Sequence, residues 1–185
     1  MNLVRAFAAA VPVLLLSACA LAPQRQPAAA FDVVGRVLVS GEGRAFSSGL
    51  RWKHDTTGDE LWLLSPVGQT LAHIAADDSG AVLTTPDQQE YRAFSVESLT
   101  RRALGWPLPL AELRFWITAM PAPGGPSATL TRDATDRIST IDQGDWRVGY
   151  VYPEAPATLP RRLDLNRGEQ HIRLVIDSWR SGDGP

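Results

Sequence analysis

Cysteine is nearly absent. Cys19 is the only one in 185 residues, so no disulfide can close within the chain. An excess charge of either sign is also missing. The 18 basic and 20 acidic residues leave a net charge of −2, which argues against a nucleic-acid-binding surface. Histidine is scarce too. His54, His73 and His171 are not spaced from one another, or from the cysteine, like zinc ligands. His54, in "KHDTTGD", reads as a solvated turn residue, and the other two as sheet-surface residues. No G-x-S-x-G elbow occurs. "GEGR" (41–44) precedes neither a P-loop lysine nor a helix, so it reads as a hairpin turn. Asp77 and Asp78 lack the register of an EF-hand, and no carboxylate spacing points to an acid/base pair. The sequence therefore carries no recognisable catalytic signature.

The apolar run from Ala6 to Leu16, behind Arg5, is too short to span a bilayer as a helix and reads as an export signal. "LSAC" (16–19) resembles the lipobox of bacterial lipoproteins. The resemblance implies removal of residues 1–18 and a diacylglyceryl thioether and N-acyl chain on Cys19. A plain secretory signal with an incidental cysteine is the alternative. Ala20 stands where Asp would retain such a protein at the inner membrane, so the sorting rule implies the outer membrane. Residues 19–30 then form a lipidated N-terminus and flexible tether. The folded domain is expected over 31–179, with 180–185 as a tail.

Strand patterns dominate that domain. They occur at 33–39, 46–53, 60–64, 69–74, 81–85, 90–94, 137–141, 145–152, 162–165 and 170–177. "ELWLL" (60–64) is apolar on both faces, as if covered on both sides. Between the two sets of strands the period becomes 3.6. Ser95 is placed to cap a helix that Gly105 ends. A second helix is expected from Leu110 to Met120, with Leu113, Trp116, Ile117 and Met120 as its apolar stripe. Strands, two helices and more strands make an α+β domain. A curved antiparallel sheet with helices on its concave face would bury both apolar sets, and can leave a cavity between them.

Several segments occur in a characteristic order: "GRVLV" (35–39), "SGLRW" (48–52), "LSPVGQTLA" (64–72), "LGWPLPLAELRFWITAMP" (104–121), "QGDWRVGYVY" (143–152), "LPRRLDL" (159–165) and "IRLVIDSW" (172–179). Together they resemble the LolB family of outer-membrane lipoprotein receptors. The resemblance implies an incomplete, half-open antiparallel barrel with helices as a lid over an apolar cavity. It implies a monomeric receptor that accepts lipidated lipoproteins from a periplasmic, LolA-like carrier and inserts them into the outer membrane without ATP or a cofactor. Candidate cavity residues are Phe46, Leu50, Trp52, Leu63, Trp146, Val148 and Tyr150 on the strands and Leu113, Trp116 and Ile117 on the lid. For each of them ordinary core packing is the competing reading. The cavity is expected to be vacant in the resting molecule.

One apolar residue stands where a loop tip faces water. Pro66, Val67 and Gly68 lie between two strands, and a stiff β-branched residue is unusual in a turn. The family loop presents Leu at this tip, and here Val67 lacks one methylene. Pro66 and Gly68 set a tight turn, so the triplet is expected to touch the membrane. The alternative is that the loop folds back and Val67 packs on the domain. Two other functions remain open on sequence: a lipid-anchored scaffold of the envelope, with a filled core, and a hydrolase, with Ser or Asp beside a histidine.

Overall fold

The computed structural model describes residues 28–41 and 43–180. Cys19 and the expected signal, most of the tether and the tail lie outside these residues. Eleven strands form one antiparallel sheet among the described residues. In chain order they are β1 (Phe31–Gly41), β2 (Arg44–Asp55), β3 (Gly58–Leu64), β4 (Thr70–Asp77), β5 (Gly80–Thr84), β6 (Glu90–Ala93), β7 (Thr129–Arg132), β8 (Ile138–Gln143), β9 (Trp146–Val151), β10 (Arg162–Arg167) and β11 (Gln170–Arg180). Helices α1 (Val96–Leu104) and α2 (Leu110–Trp116) fall between β6 and β7. The spatial order is β6-β5-β4-β3-β2-β1-β11-β10-β9-β8-β7. β6 and β7 are the two edges, so the sheet does not close.

Alternation builds the sheet's one apolar face. Val33, Val37 and Val39 of β1, Leu50 and Trp52 of β2, and Leu61 and Leu63 of β3 are buried there. Leu163, Leu165, Ile172 and Leu174 continue it, and Val96, Leu99, Leu110, Leu113 and Trp116 of the helices join the same core. The other face carries ion pairs, such as Arg36 with Asp177 at 2.9 Å and Arg51 with Asp32 at 2.8 Å. Among the described residues, no second layer lies outside "ELWLL". Of its outward residues Glu60, Trp62 and Leu64, Trp62 stacks on His73 at 5.0 Å and lies under Arg51 at 5.3 Å. Side chains, rather than another element, cover that tryptophan.

Both caps of α1 fall where the sequence puts them. Ser95 accepts from the Ser98 amide, and Gly105 is left-handed (φ 83°) with its N–H on the Arg101 carbonyl. The second helix is shorter than its pattern suggests. It stops at Trp116, with Ile117 as its cap. Ala119 is left-handed (φ 57°), and the amides of Thr118 and Met120 both donate to the Phe115 carbonyl at 3.1 Å. Met120 precedes Pro121, which disfavours a helical Met120. Met120 is 45% exposed and does not belong to the apolar stripe. β7 is an added strand that the sequence pattern does not announce, since all four of its residues are exposed.

Gly35 marks the tightest approach in the sheet. A Cβ there would stand 2.0 Å from the Val175 carbonyl oxygen, at the irregularity where β1 shifts register on β11. Gly35→Ala is expected to lower stability by about 2–3 kcal/mol, as an overpacked core position does. Urea unfolding followed by tryptophan fluorescence measures this.

Candidate functional site

Two networks fasten α2 to the sheet. The first centres on Asp59, whose inward register beside Leu61 and Leu63 leaves it 2% exposed. Its Oδ1 accepts from Trp52 Nε1 at 2.7 Å and faces His54 Nδ1 at 3.0 Å. Arg114, on α2, reaches its Oδ2 at 2.5 Å. His54 is therefore a buried residue of β2, not a solvated turn residue. It shares the inward register of Leu50 and Trp52, and the strand runs on to Asp55. The second network centres on Gln143 of β8. Its Oε1 accepts from Trp116 Nε1 and the Ala122 amide, both at 2.9 Å, and its Nε2 donates to the carbonyls of Ala122 and Pro126 at 2.7 and 3.1 Å. Within the lid, Thr100 of α1 accepts from the Leu108 amide at 2.9 Å. Sequence reasoning missed Asp59, Arg114 and Gln143. The available signal was period-2 register, which puts Asp59 and Gln143 on the apolar face, where each needs a partner.

Between lid and sheet lies a cavity lined by apolar side chains and by Thr100, whose hydroxyl is turned to the Val96 carbonyl and the Leu108 amide. Leu50, Trp52, Leu63 and Leu113 line it, as expected, together with Val37, Leu61, Ile74, Trp106, Leu108, Ile172 and Leu174. Its volume is about 30 Å³, against roughly 300–1,000 Å³ for pockets that hold small ligands. The expectation of a vacant cavity sized for acyl chains is thus corrected. Side chains of the helices and their connection, Leu108, Leu113 and Trp106, close onto the sheet and occupy the space. Trp116, Ile117, Trp146, Val148 and Tyr150 are buried but do not line the cavity. They belong to the same buried core, in which Trp116 of α2 and Trp146 of β9 lie 6.1 Å apart. The Tyr150 hydroxyl has no hydrogen-bond partner there, and burial pushes its pKa up, so the phenol keeps its proton.

Outside the cavity is a larger groove of about 1040 Å³. Trp106 lines both spaces, and Phe46 faces it across the groove at 6.3 Å. The groove lies at one end of the sheet, lined there by Gly41 and Arg44 and by Arg167, Glu169 and Gln170. Antiparallel order puts the Ser65–Gln69 turn at the same end. Val67 is 80% exposed there, so the turn does not fold back onto the domain.

A half-open antiparallel sheet with its apolar face under two short helices defines an open-barrel domain with a lidded interior. Solved structures share this fold. A LolA superfamily protein from Nitrosomonas europaea superposes with a TM-score of 0.53 at 10% identity, over 87% of this chain and 90% of that one. An outer-membrane lipoprotein-sorting domain from Vibrio parahaemolyticus gives 0.50 at 11%, over 87% and 88%. The chain itself belongs to the LolB family, whose model, described as outer membrane lipoprotein LolB, matches residues 29–179. Outer-membrane lipoproteins LolB of Azoarcus sp. (strain BH72) and of Nitrosomonas europaea are 41% and 39% identical to it. The first alignment covers 89% of both chains, the second 83% of this chain and 76% of the relative. Membership makes the chain an outer-membrane lipoprotein receptor serving lipoprotein localization, not an enzyme.

Proposed function

We propose that this receptor takes the acyl chains of a lipoprotein between its lid and sheet, as a monomer, and releases them into the outer membrane through the Pro66–Val67–Gly68 turn. The observation that carries the reading is Trp106. It lines both the apolar interior and the open groove, and its side chain makes no hydrogen bond to the described residues. α2 is held at Asp59 and Gln143 by polar networks, whereas the Trp106 side chain is held by packing alone among the described residues. Displacing it joins the two spaces without breaking a hydrogen bond. The interior then opens for cargo and closes without it, which keeps its apolar surface dry in the empty receptor.

Each buried CH₂ contributes about 0.8 kcal/mol, so an acyl chain resists water by on the order of 10 kcal/mol. Passage from a LolA-like carrier to this chain, and on to the bilayer, runs downhill only if each holder binds the chains more tightly than the last. Cys19 is the proposed anchor, with residues 1–18 as the signal and 19–30 as the tether. The interior, not the anchor, holds the cargo. A Cys19→Ala protein, exported by another signal, is therefore expected to take a labelled lipoprotein from its carrier in solution. Co-migration of label and receptor on gel filtration measures the transfer. Label that stays wholly on the carrier, with no acyl chains on the receptor by mass spectrometry, would instead favour an envelope scaffold.

A further inference from the structure

We propose that the groove at the turn end of the sheet binds the phosphate of an anionic diacyl lipid, with the guanidinium groups of Arg44 and Arg167 as its ligands. The inference rests on the reading that the interior admits acyl chains. Among the described residues, three arginines, Arg44, Arg101 and Arg167, line the groove with one carboxylate, Glu169. Arg101 is engaged by Glu97 at 3.0 Å. Arg167 is held by neutral partners: its guanidinium lies 4.5 Å from the centre of the Trp146 ring and donates to Gln170 Oε1 at 2.9 Å. Arg44 reaches the end of α1, its Nη1 standing 2.8 Å from where a Cβ on Gly105 would lie. Glycine at that cap leaves room for the guanidinium. Two planar forks beside one groove suit a phosphate, which accepts paired N–H donors.

The rest of the groove decides what carries that phosphate. Phe46, Trp106 and Pro107 give it an apolar wall, and past Trp106 lies the apolar interior. A free anion would leave that wall unused. A diacyl lipid uses both parts, with its phosphate on the arginines and its chains passing Trp106. The groove also shares its end of the sheet with Val67, the end proposed to meet the bilayer, where such lipids are at hand. A membrane lipid could then enter as cargo leaves.

The test titrates the full Cys19→Ala chain with three probes below their micelle concentrations: dihexanoyl phosphatidate, uncharged dihexanoylglycerol and inorganic phosphate. Tryptophan fluorescence reads binding. Phosphatidate is expected to bind about tenfold tighter than dihexanoylglycerol, as two charge-assisted contacts would give. Raising salt should erase that preference and leave dihexanoylglycerol binding unchanged. The Arg44→Gln/Arg167→Gln variant should lose the preference with its melting temperature and dihexanoylglycerol affinity intact. Equal binding of the two lipids, a preference that survives high salt or the double substitution, or displacement of phosphatidate by an equal concentration of inorganic phosphate would overturn the inference. Failure of both lipids to bind would sink the acyl-chain reading along with it. Equal binding of both sinks the phosphate site alone.

Discussion

Val67→Glu is expected to accept cargo from the carrier like the parent protein and to lose most of its delivery to liposomes. The turn that carries Val67 is fixed by its own bonds. The Ser65 amide donates to the Gln69 carbonyl at 2.8 Å, and the Gly68 amide to the Ser65 carbonyl at 2.9 Å. The Gln69 amide also donates to Ser65 Oγ at 3.1 Å. Pro66 presets φ, and Gly68 takes the left-handed conformation (φ 81°). At 80% exposure, Val67 contributes little to the fold, so the substitution should leave the melting temperature unchanged. Its side chain gains about 1.5 kcal/mol on entering an apolar phase. A carboxylate that must stay hydrated forfeits that gain and adds a desolvation cost. Delivery should therefore fall at least about tenfold. Val67→Leu restores one methylene, about 0.8 kcal/mol, and should deliver as well as or better than the parent. Flotation of labelled lipoprotein with the liposomes measures both variants. Normal delivery by Val67→Glu would remove the turn from the release step.

Local signals made the fold legible. Ser95 and Gly105 cap α1 as their chemistry requires, and alternation placed Leu50, Trp52, Leu63, Val148 and Tyr150 on the buried face. What escaped depends on distance along the chain or on shape. β7 exists because Thr129–Arg132 pairs with β8, and an exposed edge strand shows no alternation to read. Asp59 and Arg114 lie 55 positions apart, and each alone looks like a surface charge. Only the inward register of Asp59 hints that it must be paired. The volume under the lid was the least legible feature. Inward-facing tryptophans such as Trp52 and Trp106 can line a cavity or fill it, and composition is the same in both cases. Five of the ten cavity candidates are buried in the core without lining the cavity, and Phe46 flanks the groove. Family membership, not the empty volume, establishes the receptor.

Asp59→Ala is expected to destabilise the domain by about 3 kcal/mol or more, the cost of removing one partner of a buried ion pair. The side chain of Asp59 is fully buried, and that of Arg114 is 26% exposed, so some of the Arg114 charge can turn to water. The loss is therefore placed at the low end of that range. Trp52 Nε1 and His54 would also lose their acceptor inside the core, which adds an unpaired-donor penalty. Asp59→Asn separates the terms. Its amide oxygen can still accept from Trp52 but cannot neutralise Arg114, so a smaller loss is expected. Arg114→Met in the Asp59→Asn background should then recover part of it, because no buried charge is left unpaired. Denaturant unfolding gives these energies. The functional consequence follows from where Arg114 sits: it ties α2 to β3, so freeing it loosens the lid against the sheet. Dye binding to apolar surface should rise in Asp59→Asn, and cargo uptake should quicken while retention weakens. An Asp59→Asn protein with unchanged stability and unchanged uptake would mean that α2 is held by packing and by Gln143 alone.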